Sequence, residues 1–218
     1  RMINEKIKKR FLDWWEGKEM DRPMIRLYVE KEKQPDPSDL CDLSCYTTYE
    51  DLHSNPAFRV NWVKNVARQF DTCYEAFNYV DLNYGPGSMA AYLGIQPNFM
   101  ADTVWYNHLR VDALSEIPLP AFNPQAKYFL QHLGQIKQAV KNAEEQFPIA
   151  IPDILENFDI LSLLRGNEET CFDMMDDEET VKKYLDAIAD IYMNYYDAFY
   201  DVVKFGKDNK ECVYTAFS

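Results

Sequence analysis

The chain lacks any run of about 18 consecutive apolar residues, the length a helix needs to cross a bilayer, so no membrane span is expected. Its first residues, Arg1-Met2-Ile3-Asn4-Glu5-Lys6, are charged and carry no apolar stretch of the kind a secretion signal needs. Positive charge is scarce: 23 lysines and arginines face 36 aspartates and glutamates, a formal charge of −13. A nucleic-acid binder needs a cationic face, and so does a protein held on anionic lipid, so both classes start at a disadvantage. Histidine is rarer still, with His53, His108 and His132 only. The five cysteines, at 41, 45, 73, 171 and 212, are odd in number and scattered, and no histidine lies near one. That pattern fits reduced thiols in a cytoplasmic protein better than a disulfide framework, and argues against a complete zinc site built within the chain. Also missing are a G-x-G-x-x-G after a strand, a G-x-x-x-x-G-K-[ST] phosphate loop and any solenoid repeat.

What is present is enough to fold. Apolar residues make up 47% and aromatics 15% of 218 residues, which excludes wholesale disorder. Ile3, Ile7 and Phe11, with Trp14 and Trp15, recur at helical spacing, and Gly17 is a suitable stop. Residues 24–30 read as a strand, and residues 31–54, polar with Pro35 and Pro37, as a long surface loop. Phe58, Trp62, Val66 and Phe70 predict a helix over 56–77. A short strand at 79–84 is broken by Gly85-Pro86-Gly87, after which Ser88 can cap a short helix. Thr103-Val104-Trp105-Tyr106 reads as a short strand in an irregular stretch. A helix follows over 124–147, a strand at 147–152, a helix over 157–164 stopped by Gly166, and a last long helix capped by Asp176 or Asp177. The chain closes on an apolar strand at 212–218.

Helices and strands therefore alternate. Alternation of this kind implies an α/β fold with a parallel sheet, and the spacing suits a (β/α)8 TIM-type barrel better than a doubly wound sheet. A complete barrel needs roughly 250 residues, and about four strands are legible, so a single domain covering the N-terminal half or so of a barrel is expected. Arg1 ahead of Met2 and the apolar last residues also read as a sequence cut short. Such a half-barrel exposes sheet edges, which predicts aggregation, a homo-oligomer that covers them, or a further C-terminal portion.

Ligands in parallel α/β folds sit at the carboxyl ends of the strands. That places Glu30, Asn83, Tyr84, Gly85, Gly87, Asp153 and Asn157 at a candidate mouth for a small-molecule substrate. Gly85 and Gly87 allow close approach of a ligand to backbone N–H groups, although a tight turn that needs positive φ explains them slightly better. Asp153 and Glu156 could form an acid–base pair, but helix capping is favoured about two to one because caps are common. Trp105 and Tyr106, next to Asp102, could line a pocket, and aromatic packing is the commoner role. Cys41 and Cys45 form at most a weak metal pair and read better as free thiols. The run Tyr192, Tyr195, Tyr196, Phe199, Tyr200 fits core and interface spacing better than a cofactor box. The acidic residues 173–179 read as a solvated helix start.

Several segments in order resemble the uroporphyrinogen decarboxylase superfamily, which includes corrinoid-dependent methyltransferases. The matching pieces are Asp21-Arg22-Pro23 behind a helix and Gly17, then Gly85-Pro86-Gly87 with Ala90-Ala91 and Leu93-Gly94. The longest is Pro152-Asp153-Ile154, Phe158-Asp159-Ile160-Leu161, Leu164-Arg165-Gly166 and Asp176-Asp177-Glu178. In the decarboxylases an arginine of a Gln-Ala-Gly-Arg loop grips substrate carboxylates. Here that stretch is Val29-Glu30-Lys31-Glu32-Lys33. The family's aspartate on the second strand falls at about Gly85, and its tyrosine on the helix of the third strand at about Ser162. Glu30 and Glu32 would repel a polycarboxylate. The resemblance thus implies a methyltransferase-type enzyme that moves a methyl group between a small methylated compound or corrinoid and a thiol. A corrinoid protein would be its partner, and the zinc ligands would lie beyond Ser218. A decarboxylase, or a non-catalytic tetrapyrrole- or corrinoid-binding module, is the alternative it leaves.

Overall fold

The computed structural model describes residues 3–155, 157–206 and 208–214. Helix α1 (Glu5–Trp15) is capped by Asn4, whose side chain accepts from the Lys6 N–H. Strand β1 (Arg26–Glu30) follows. Inside the stretch read as loop lies helix α2 (Tyr49–Ser54), started by a capping box in which Thr48 and Asp51 satisfy each other's backbone N–H. Helix α3 (Pro56–Gln69) begins on a proline at its first turn and is capped by Asn55. It runs without a break into strand β2 (Phe70–Tyr74). Helix α4 (Ser88–Tyr92), strands β3 (Pro97–Phe99) and β4 (Val104–Tyr106), helix α5 (Lys127–Ala143) and strand β5 (Ala150–Ile151) come next. Helices α6 (Asn157–Arg165), α7 (Asn167–Asp176) and α8 (Glu178–Val203) lead to strand β6 (Val213–Tyr214). Asp177 caps α8 by accepting from the Thr180 N–H.

The barrel expectation is corrected by the sheets. This is an α/β fold that, among the described residues, forms three two-stranded sheets, none closed into a barrel. Strands β1 and β2 pair antiparallel with each other, Arg26 opposite Tyr74 and Glu30 opposite Phe70, so β1 does not open a parallel sheet. The cause is local: α3 ends at Gln69 and the chain turns extended at once, bringing 70–74 back along β1. Strands β3 and β4 also pair antiparallel. Among the described residues, parallel pairing is confined to β5 with β6 and a single bridge from Val80 to Ile149. Pro148 and Pro152 bracket β5, and proline has no N–H to donate, so only a few residues there can join a ladder. Of the strand expected at 212–218, Val213 and Tyr214 are strand and residues 215–218 lie outside the described residues.

The core lies where α3, α4, α5, α6 and α8 meet the inner side of residues 80–84 and β5. Val80, Leu82 and Tyr84 alternate into it and are fully buried, with Ile136 of α5, Ile160 and Leu161 of α6, and Ile188, Tyr195 and Phe199 of α8. The tyrosine run is split accordingly. Tyr195 and Phe199 are core, while Tyr192, Tyr196 and Tyr200 stack in a row on the side of α8 that meets β6. A smaller cluster of Ile3, Phe77, Ala150, Phe205 and Val213 sits beneath α1. Among the described residues no helix is long and apolar enough to cross a membrane.

Candidate functional site

The segment after residue 82 is shaped by its glycines. Asn83 accepts the Gly85 N–H on Oδ1 at 2.9 Å and donates to Asp81 Oδ2 at 2.5 Å, an Asx-type turn that starts the break. Gly85 (φ +72) and Gly87 (φ +90) lie in the left-handed region. They also let neighbours in: a Cβ on Gly85 would lie 2.8 Å from Val104 Cβ, and one on Gly87 2.3 Å from Leu163 Cδ1. So β4 packs on Gly85 and α6 on Gly87, and the two walls converge on Gly85-Pro86-Gly87. Gly85→Ala is expected to cost about 2 kcal/mol, from left-handed backbone plus the clash with β4. Thermal denaturation checks this, and an unchanged Tm contradicts it.

Between those walls is an open groove of about 610 Å³, within the range small ligands use. Pro86, Thr103, Trp105 and Tyr106 line one side, and Leu155, Asp159, Ser162 and Leu163 the other. His108, Asn167, Glu168 and Glu169 complete it around Gly166. Trp105 leaves 64% of its surface exposed here. Tyr106 donates its hydroxyl to Tyr84 O at 2.5 Å, so it offers the groove ring surface. Its burial pushes the phenol's pKa up, which keeps it a donor.

Arg165 fixes the rim. Its guanidinium, 7% exposed, pairs with Asp173 (Nε–Oδ2 2.7 Å) and donates to the carbonyls of Val111 (2.7 Å) and Asp112 (3.3 Å). The Leu109 N–H donates to Leu164 O at 2.8 Å. The irregular stretch behind Trp105 is thereby tied to the end of α6. Arg165→Met leaves Asp173 and two carbonyls without their cation and is expected to cost about 3 kcal/mol. Hydrogen exchange should accelerate at residues 109–112, and protection equal to wild type there would refute this role.

The sequence candidates separate in space. Trp105, Tyr106 and Ser162 line the groove; Gly85 and Gly87 do not line it but pack behind it, against Val104 and Leu163 of its walls. Tyr84 is directed elsewhere: fully buried, it stacks on His132 (4.2 Å, 9°) and donates to Gln135 Oε1 at 3.0 Å. Burial raises its pKa as well. Asp153 accepts the Leu155 N–H at 3.0 Å, a turn rather than a helix cap. Asn157 opens α6 and accepts the Phe158 N–H at 2.9 Å. Glu156 lies outside the described residues. Glu30 is exposed at the end of β1 and does not line the groove. Sequence reasoning missed His108, Asp159, Glu168 and Glu169 as groove residues. The two glutamates belong to α7, a helix not expected from the sequence, and no spacing signal tied His108 to Gly166.

The described residues hold no group of three His, Cys, Asp or Glu placed to bind a metal ion. Cys41 and Cys45 are free thiols, Cys41 accepting from Arg68 at 3.1 Å. Comparison with protein-family models, curated proteins and solved structures gave no match to this chain.

Proposed function

We propose that the groove holds a small methylated compound and that the chain contributes the substrate-binding part of a methyl-transfer enzyme. The observation that carries this is the groove's composition. It brings together an exposed indole, a phenol ring, a serine, a histidine and three carboxylates, with no lysine or arginine among the described residues of its lining. A polycarboxylate such as a tetrapyrrole needs cationic partners and would meet only repulsion there. The motif resemblance favours methyl transfer over decarboxylation on the same ground. The described residues do not fit a zinc site, so no step is assigned to zinc or to a corrinoid.

The reaction is written with a low-molecular-weight thiol as acceptor. The thiolate sulfur forms a bond to the methyl carbon, the carbon's bond to its carrier atom breaks with the electron pair staying on that atom, and the thiol proton passes to solvent. Side chains of the groove orient the methyl donor and exclude water from one side of it. The test is incubation of the protein with a panel of 13C-methyl ammonium compounds and neutral methyl ethers plus a thiol, read as 13C-labelled thioether. Thioether above the protein-free rate, lowered at least tenfold by Trp105→Leu, supports the reading. Formation at the protein-free rate with every donor overturns it, and binding without turnover would leave a binding module in its place.

A further inference from the structure

We infer that the occupant of the groove is a methylated ammonium ion; this rests on the groove being a substrate site and names the class of that substrate. Two independent features of the site point the same way. The first is charge. Asp159, Glu168 and Glu169 line the groove and none of them enters an ion pair among the described residues, whereas Glu75, Asp13 and Asp173 each hold a lysine or arginine within 3 Å. Glu169 acts on Arg165 through space, but that guanidinium is already spent on Asp173 and on two carbonyls. The three carboxylates lie in the first turns of α6 and α7, whose helix ends partly offset their charge, but no lysine or arginine is among the described residues of the lining, so the concave surface keeps a negative sign and disfavours anions.

The second feature is the indole. Trp105 sits on β4, whose pairing with β3 sets Trp105 opposite Asn98, and its ring is left 64% exposed in a concavity rather than packed. Tyr106 adds ring surface, with its hydroxyl committed to Tyr84 O. An indole face attracts cations through its quadrupole, most strongly those that shed water easily. A metal ion needs several ligands close together, and the described residues offer no such group. A primary ammonium is strongly hydrated and prefers short hydrogen bonds to acceptors. A methylated ammonium spreads its charge over methyl groups, needs no hydrogen bond, and is satisfied by an aromatic face with carboxylates at longer range. Within the reaction above, its carrier atom is nitrogen, and the departing electron pair makes a neutral amine.

Isothermal titration at low salt tests this with choline, with its neutral isostere 3,3-dimethyl-1-butanol, and with tetramethylammonium chloride. Both cations are expected to bind saturably, choline at least tenfold tighter than the isostere. Trp105→Leu, with Tm unchanged, and separately the combined Asp159→Asn, Glu168→Gln and Glu169→Gln variant, with Tm lowered by the loss of first-turn acids and binding read well below that Tm, should each weaken choline at least fivefold. Equal binding of choline and the isostere overturns the cation class while the groove stays a substrate site. Absence of cation binding also overturns it, and thioether formed from neutral ethers alone would show that the methyl-transfer reading survives that loss. A loss in the acid variant but not in Trp105→Leu overturns the aromatic contribution.

Discussion

Glu75→Gln is expected to lower stability by about 3 kcal/mol, a fall in Tm of about 6–12 °C for a chain of this size. Glu75 is 1% exposed and holds together three parts of the N-terminal region. It accepts two hydrogen bonds from Arg22 (2.6 and 2.9 Å) and one from the Ile25 N–H (2.9 Å). Arg10 Nε of α1 lies 2.7 Å from Oε1, close as an ion pair though not aligned as a hydrogen bond. A neutral amide removes the counter-charge of Arg22 and leaves Arg10 with Asp21 alone. The Arg22 hydrogen bonds, the Ile25 N–H and the nearby Arg10 charge hold the Glu75 carboxyl at about 2, well below its usual 4.5. A depressed acid pKa means that the stabilisation is full above about pH 4.5 and fades as pH falls toward 2. The difference between wild type and Glu75→Gln should therefore be constant near neutrality and shrink below pH 4.5. A gap that is independent of pH down to 2 would contradict the assignment.

His132→Phe has an effect of similar size for a different reason. His132 lies fully buried, with Nε2 3.0 Å from Leu82 O and Nδ1 2.7 Å from the Tyr92 hydroxyl. The two contacts are satisfied by one neutral tautomer, with Nε2–H donating to the carbonyl and the Tyr92 O–H donating to Nδ1. Phenylalanine keeps the ring stacked on Tyr84 but orphans a buried hydroxyl and a buried carbonyl, at a cost of about 2–4 kcal/mol. Burial pushes the imidazole down to about 4 from 6.5, outweighing the Leu82 carbonyl. The unfolded chain then takes up a proton between pH 6.5 and 4 that the folded chain refuses, so stability falls across that window by up to about 3 kcal/mol. Urea denaturation from pH 3 to 8 should show this decline in wild type and its removal in His132→Phe, leaving the lower window that belongs to Glu75. An unchanged slope between pH 6.5 and 4 would show that another group is responsible.

The helices were largely legible because their cause is local. The spacing of Phe129, Leu133, Ile136 and Val140 marks α5, and Asp177 marks the start of α8 as expected. The sheets were not legible, because pairing is decided between segments far apart in sequence. Residues 24–30 read correctly as extended, yet nothing in them says that the partner is 70–74, within a stretch that continues the helical spacing of α3. The barrel followed from alternation alone, and alternation does not reveal antiparallel returns or the prolines that cut β5 short. The candidate site was legible in part for the same reason. Trp105 and Tyr106 carry local signals and line the groove, Gly85 and Gly87 carry local signals and pack behind its walls, and Ser162 is reached only through the resemblance. Tyr84, one residue before Gly85, is instead turned into the core beside Leu82 and His132. The groove's carboxylates, Asp159, Glu168 and Glu169, carry no spacing that sets them apart from other surface acids.

The groove is read as the place where a methylated cation binds, and the four tryptophans allow a direct measurement. Each indole N–H gives one cross-peak in a 15N-correlated spectrum, and Trp14, Trp15 and Trp62 lie outside the groove lining. Titration with tetramethylammonium chloride, with sodium chloride as the ionic-strength control, should shift the Trp105 indole peak along a saturable curve while the other three stay in place. Shifts of similar size at all four indoles, or a stationary Trp105, would contradict the account.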